Sequence, residues 1–209
     1  MTPFKFEKIQ IKDSIIYFCY FSTYSPDAFF KYLSSEEINK VKSFASVSRR
    51  MEFVATRVLK HTFFGDKLIE YNLIGAPYIE GLGFISISHT HKMVAIALNE
   101  SYKIGLDLES PRDSILSVSS KFLSPEEKQN FNVTNRLEVT KIWSAKETLY
   151  KLAGRKKIIF KEELILKRHN DNLWEGLILN SDHSISVKLN IFEHNEIIVT
   201  INNEPINIF

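Results

Sequence analysis

Within Ile104-Gly-Leu-Asp-Leu-Glu109 two carboxylates, Asp107 and Glu109, stand two residues apart in an otherwise apolar run. In a strand alternate side chains share a face, so Ile104, Leu106 and Leu108 point one way while Gly105, Asp107 and Glu109 point the other. Paired carboxylates repel unless a cation lies between them. Hard oxygen donors at this spacing suit Mg²⁺, which takes a few carboxylates together with water and phosphate oxygens. Taken alone, the pair is equally an ordinary polar face of an edge strand.

A second group lies in Trp143-Ser-Ala-Lys-Glu-Thr-Leu-Tyr-Lys151. On a helix Trp143, Glu147 and Lys151 fall at successive i, i+4 positions, beside an apolar stripe of Ile142, Ala145, Leu149 and Leu152. Glu before Lys at i, i+4 is also an ordinary helix-stabilising pair worth ~0.2–0.5 kcal/mol, and Trp143 is equally a core residue.

Two shorter patterns complete the set. Ile85-Ser-Ile-Ser-His89 reads as a strand that ends in Ser88-His89 at a turn. In Ser48-Arg-Arg-Met-Glu-Phe-Val-Ala-Thr-Arg57, Arg50 and Arg57 are seven apart and share a helix face. Guanidinium forks suit phosphates, although a basic face can equally be only solvated. His61, His169, His183 and His194 show no metal-ligand spacing, and no nucleotide-binding glycine loop or nucleophile elbow occurs.

These residues need elements to hold them. Ile, Phe and Tyr runs over residues 6–21 predict strands. Ser34-Ser-Glu-Glu37 predicts a helix start with a capping box, running to Phe64 and Gly65 with a break near Ala45–Ser48. Phe84–Ser88 and Met93–Leu98 predict a hairpin, and Tyr102–Glu109 another strand. Leu123-Ser-Pro-Glu-Glu127 predicts a second helix start, followed by a long helical stretch to Ala153 and Gly154. Strands follow at 163–167, 176–179, 185–192 and 197–201. Leu33-Ser-Ser-Glu-Glu37 and Leu123-Ser-Pro-Glu-Glu127 match, and Gly65 and Gly154 follow those leucines by 32 and 31 positions. The order reads either as a repeat or as two α+β halves that share caps by chance. The repeat predicts an α+β fold of two similar subdomains, 1–100 and 101–209. Each would pack a small antiparallel sheet on a long helix, related by a pseudo-two-fold, with the site in the cleft between them.

Composition narrows the partners. The 209 residues carry 27 Lys+Arg against 25 Asp+Glu, a formal charge of +2, which speaks against a general nucleic-acid binder. The single cysteine, Cys19, lies in an apolar run and is expected to be buried and inert. No run approaches the ~18 apolar residues of a membrane span, and the first residues lack a signal core. The expectation is a cytoplasmic protein without a membrane anchor.

Taken together, the four patterns resemble the 4′-phosphopantetheinyl transferase superfamily, and the length and two-half layout resemble its monomeric surfactin-synthetase-activating (Sfp) type. The family's G-[ILV]-D-[ILV]-E strand reads Gly105-Leu-Asp-Leu-Glu109 here. Its W-x-x-K-E-[AS]-x-x-K helix reads Trp143-Ser-Ala-Lys-Glu-Thr-Leu-Tyr-Lys151, with Thr148 where a smaller residue is usual. Its upstream S-x-S-H and R-R-x-E-[FY]-x-x-x-R patterns read Ser86–His89 and Arg49–Arg57. The resemblance covers residues 33–155 well and the C-terminal strands by pattern alone.

The resemblance implies transfer of the phosphopantetheine arm of coenzyme A to a serine of an acyl- or peptidyl-carrier protein. Mg²⁺, or Mn²⁺, would be held by Asp107, Glu109 and Glu147. It further implies Glu147 as metal ligand first and general base second, and Lys151 beside the leaving phosphate. Arg50, Arg57, Ser88, His89 and Lys146 would bind or support the phosphates of coenzyme A. A non-catalytic relative that binds coenzyme A or a carrier protein is the alternative. Where the family commonly has a Gly-Lys-Pro run, this chain has Gly75-Ala-Pro77, so Ala76 brings no charge and Lys40, Lys42 or Lys92 could substitute. Ser114–Phe122 offers Ile115, Leu116 and Val118 either as a carrier-docking anchor or as core.

Overall fold

In a computed structural model that describes residues 2–209, the apolar N-terminal runs form a hairpin. β1 (Phe4–Ile11) pairs antiparallel with β2 (Ser14–Phe21). A 3-10 turn at Pro26–Tyr32 leads to α1 (Ser35–Ser43) and, after a break, α2 (Val47–Phe64). The capping box forms as its residues dictate: Ser34 Oγ accepts from the Glu37 N–H, and the Glu37 carboxylate accepts from the Ser34 N–H. A two-stranded ribbon, β3 (Glu70–Tyr71) and β4 (Pro77–Tyr78), precedes the hairpin β5 (Phe84–Thr90) and β6 (Met93–Asn99). The first sheet runs β1-β2-β6-β5, all antiparallel, and α2 packs against it over a core that includes Val54, Leu59 and Ile96.

The second half opens with β7 (Leu106–Glu109), shorter than the expected Tyr102–Glu109 because the Gly105 N–H is taken by the Asn202 side chain instead of a ladder partner. α3 (Ser114–Val118), α4 (Pro125–Asn130), α5 (Arg136–Ala153) and α6 (Phe160–Glu163) follow. The expected single helical stretch is thus two helices. Asn132 accepts from Thr134 in a turn, and Asn135 caps α5 by accepting from the Glu138 N–H, so two asparagines impose the break. β8 (Leu164–Arg168), β9 (Leu173–Leu179), β10 (Ser184–His194), β11 (Ile197–Asn202) and β12 (Asn207–Ile208) complete the chain. The second sheet runs β7-β11-β10-β9-β8, with β12 on β10, and α5 packs across it.

Between the sheets lies a shared core built by β2, β6, β7 and β11, including Phe18, Ala95, Leu106 and Val199. Ile104, Leu106 and Leu108 turn into it as the alternation predicted. Ile115 is buried and Leu116 partly so, packed on the α5 core, while Val118 stays exposed. Cys19 is fully buried, and burial pushes its thiol up to about 12. No helix among the described residues is long and apolar enough to cross a membrane.

Candidate functional site at the seam of the two sheets

β7 joins the second sheet through β11 alone, so its other edge needs acceptors. Ser86 and Ser88 of β5 supply them with their side chains. Ser86 Oγ accepts from the Leu106 N–H at 2.9 Å, and Ser88 Oγ from the Leu108 N–H at 3.1 Å. The two-residue spacing of the serines matches the two-residue repeat of amides along one strand edge. Ser88 Oγ also donates to Asp107 Oδ1 at 3.2 Å. Ser88 is therefore committed to placing Asp107.

The other face of β7 meets α5. A side chain at Gly105 would strike the backbone oxygen of Thr148 at 2.9 Å and Leu152 Cγ at 2.8 Å, so glycine is what lets strand and helix approach. Trp143 Nε1 donates to Glu109 Oε1 at 2.9 Å. Lys151 Nζ donates to Asp107 Oδ1 at 3.0 Å and to the Leu106 carbonyl at 2.6 Å. Helix and strand thus run in opposite senses. Eight residues of helix rise ~12 Å and the three from Leu106 to Glu109 ~10 Å, so Trp143 meets Glu109 at one end while Lys151 meets the Leu106 carbonyl at the other.

Glu147 lies between these contacts. Burial, then the charge of Asp107, push its carboxyl up to about 7, with Lys151 pulling the other way and Glu109 adding to the rise. Glu109 is also raised, by burial and then by Asp107, against Trp143, Arg112 and Lys151. Asp107 Oδ2 is buried without a hydrogen-bond partner. Among the described residues no three His, Cys, Asp or Glu side chains stand assembled as a metal centre. Lys151 takes one oxygen of Asp107, and Trp143 one of Glu109. Even so, the orphaned oxygen of Asp107 and two carboxyls, Glu109 and Glu147, whose pKa the charge of Asp107 helps raise, fit a hard divalent cation.

Beside this cluster opens a cleft of about 610 Å³, walled by both halves of the chain. Arg49, Arg57, Lys103, Lys151, Arg155 and Lys156 line it, with Glu52 the single carboxylate. His89 accepts at Nε2 from Arg49 at 2.6 Å, which assigns its proton to Nδ1, 3.5 Å from Glu52 Oε2. Burial lowers its pKa, aided by Arg49 and Lys151 and opposed by Glu52 and Asp107, so the neutral ring fits this pattern.

The structure places the remaining expected residues differently. Lys146 is fully buried and away from the cleft: its three donors go to the Phe122 carbonyl, Glu127 and the Phe160 carbonyl. Its three donors are thus taken within the second half, and it does not line the cleft. Arg50 also lies outside the cleft lining. It shares a helix face with Arg57, but that face looks toward α1, and Arg50 Nε donates to the Phe44 carbonyl at 2.7 Å. The cleft is faced by the adjoining stripe of Arg49, Glu52, Phe53 and Thr56, whose i, i+3, i+4, i+7 spacing was visible in the sequence. Arg57 lines the cleft, yet it is buried, paired with Glu37 at 2.7 Å and stacked 3.8 Å from the Phe53 ring centre. Ala76 does line the cleft, and Lys40, Lys42 and Lys92 do not. Lys103 was missed, since a lone lysine before a strand carries no local signal.

No curated protein matches the chain. Residues 103–201, which are 99 of the 209 and span β7, α5 and most of the second sheet, match the family model of the 4′-phosphopantetheinyl transferase superfamily.

Proposed function

We propose that the protein transfers the 4′-phosphopantetheine moiety of coenzyme A to a serine hydroxyl of an acyl- or peptidyl-carrier protein and releases adenosine 3′,5′-bisphosphate. One observation carries this reading. Asp107 and Glu109 of β7 meet Lys151 and Trp143 of α5 at the end of a cation-lined cleft, inside the stretch that matches the family.

Asp107 through its free Oδ2, Glu109 and Glu147 would hold Mg²⁺. Bound there, the ion would neutralise charge on the diphosphate. Glu147, a ligand of the ion first, would serve second as general base for the incoming serine hydroxyl. The serine oxygen bonds to the phosphorus that carries pantetheine, and the bond from that phosphorus to the bridging oxygen breaks. Lys151 stabilises the negative charge left on the departing phosphate. Arg49 and His89 hold the diphosphate from the first half, with Glu52 orienting the imidazole. On this reading residues 1–100 and 101–209 act as two subdomains on one coenzyme A.

The test is to incubate the protein with coenzyme A, Mg²⁺ and an apo carrier protein and weigh the carrier. A gain of one phosphopantetheine group is expected. Retained coenzyme A binding without any gain would favour a non-catalytic binder instead.

A further inference from the structure

Among the described residues five buried side-chain atoms lack a hydrogen-bond partner, and three of them meet in one place: Asp107 Oδ2, Thr200 Oγ1 and Ser144 Oγ. Thr200 of β11 stands directly across the ladder from Asp107 of β7. Residues paired in this way share a face, with Cβ atoms ~4.5–5.5 Å apart. Val199 and Ile201, the chain neighbours of Thr200, turn into the core between the sheets, so Thr200 faces α5. On α5, Ser144, Thr148 and Lys151 fall at i, i+4 and i+7 and share a face. Thr148 Oγ1 lies 3.3 Å from the Thr200 carbonyl oxygen, and Lys151 reaches Asp107, so Ser144 looks toward the same two strands.

Neighbouring hydroxyls are satisfied. Thr140 donates to the Arg136 carbonyl at 2.8 Å and Thr148 to the Ser144 carbonyl at 3.0 Å. Ser144 and Thr200 are fully buried, and their hydroxyls have no such partner. A buried hydroxyl left unpaired is unfavourable. Packing alone would favour valine at position 200, which has nearly the same volume and no polar atom, in the apolar run Ile197-Ile-Val-Thr-Ile201. The Asp107 carboxylate shows what the hydroxyls can meet. An ionised carboxylate offers about four lone-pair sites. Both hydrogen bonds that Asp107 accepts fall on Oδ1, from Ser88 at 3.2 Å and Lys151 at 3.0 Å. Oδ2 thus keeps room for a cation on one side and a hydroxyl on the other. A carboxylate ligand that also accepts a hydrogen bond is held in orientation for its metal.

We propose that Thr200 is a positioning residue for a divalent cation: its hydroxyl donates to Asp107 Oδ2 when the ion is held there, and Ser144 supports it from α5. The assignment rests on the reading of Asp107 as a Mg²⁺ ligand. It extends the site to β11, a strand none of whose residues lines the cleft. It also gives the unpaired hydroxyls a use: they are unfavourable in the empty protein and favourable in the loaded one.

Calorimetric titration of the full chain with Mg²⁺, beside thermal melting in chelator, tests it. Thr200→Val weakens Mg²⁺ binding about tenfold, as loss of a partner behind a metal ligand does. Its melting temperature in chelator stays at or above that of the wild type, because an unpaired hydroxyl has been removed. Thr200→Ser keeps the wild-type Mg²⁺ affinity and melts slightly lower for want of a methyl group. Ser144→Ala gives a smaller loss of Mg²⁺ affinity than Thr200→Val. Wild-type Mg²⁺ affinity in Thr200→Val overturns the role of Thr200 while the transferase reading stands. Weaker Mg²⁺ binding in Thr200→Val with a lower melting temperature in chelator, or an equal loss of affinity in Thr200→Ser, shows a packing role and overturns it too. A wild-type protein that takes up no Mg²⁺ also overturns it, and the carrier assay then decides the transferase reading by itself.

Discussion

Arg57 of α2 and Lys146 of α5 occupy matching places in the two long helices. Each lies eight residues before the glycine that follows its helix, Gly65 or Gly154, and each donates to the glutamate of a capping box. Arg57 reaches Glu37 and Lys146 reaches Glu127, both at 2.7 Å. The box glutamates thus tie a short helix to a long one in each half, in addition to capping their own helix.

Lys146→Ala should therefore act on stability. Removing one partner of a buried pair leaves an uncompensated charge, at about 3–5 kcal/mol. Urea unfolding should show that loss. A Lys146→Ala protein with wild-type stability but weak coenzyme A binding would return Lys146 to the ligand.

On the proposed transferase reading, Asp107→Ala should abolish Mg²⁺-dependent carrier modification and leave the fold intact. Calorimetric titration with Mg²⁺ should lose its heat as well. Unchanged turnover would remove Asp107 from the site.

Gly105→Ala should separate β7 from α5, since the backbone of Thr148 cannot move aside as a flexible side chain would. Overpacking of this kind costs about 1–3 kcal/mol. Turnover should fall further than the stability loss explains, because the Asp107–Lys151 contact spans that gap. Equal activity per folded molecule would show that the approach of the two elements is not needed for chemistry.

Glu147 should make the stability of the protein in chelator depend on pH. Its folded carboxyl titrates near 7 and its unfolded one near 4.5, so the folded state binds more protons between those values. The contribution is present below about pH 4.5 and lost as pH rises to 7. Glu147→Gln should be more stable than wild type above pH 7 by about 1–3 kcal/mol in chelator, with the gain vanishing toward pH 4.5. Mg²⁺ should reduce the gap by stabilising the wild type. A gap that does not vary with pH would show that the carboxyl is not raised.

Arg49 and Arg50 separate the two faces of α2. Arg49→Ala should raise the KM for coenzyme A about tenfold by removing a guanidinium from the cleft and releasing His89. Arg50→Ala should change it little, since that side chain bonds the Phe44 carbonyl. The opposite ranking would restore the face shared by Arg50 and Arg57 as the binding one.

Local periodicity was readable in advance wherever it decides structure. Both capping boxes, the break after α1, the alternation around Asp107 and the stripe of Trp143, Glu147 and Lys151 all follow from spacings within one element. What escaped depends on the partner of a face. Arg50 shares Arg57's face, but nothing local says that α1 covers it. Lys146 sits beside the buried stripe of α5, and only the fold brings the carbonyls of Phe122 and Phe160 to meet it. The break at Asn132 was legible in hindsight, because asparagines cap and turn where they could also continue a helix.

Among the described residues no backbone ladder crosses the seam between the sheets; side chains join it over a shared apolar core, Ser86 and Ser88 on β7, Thr90 on Ser110, and Tyr20 on His194. A chain cut in the exposed stretch at Glu100-Ser101 would leave every strand pairing within one fragment or the other. Fragment complementation would then depend on the buried apolar surface of β2, β6, β7 and β11. Activity would become a bimolecular quantity that rises with fragment concentration, because the carboxylates would travel with one piece and the imidazole with the other.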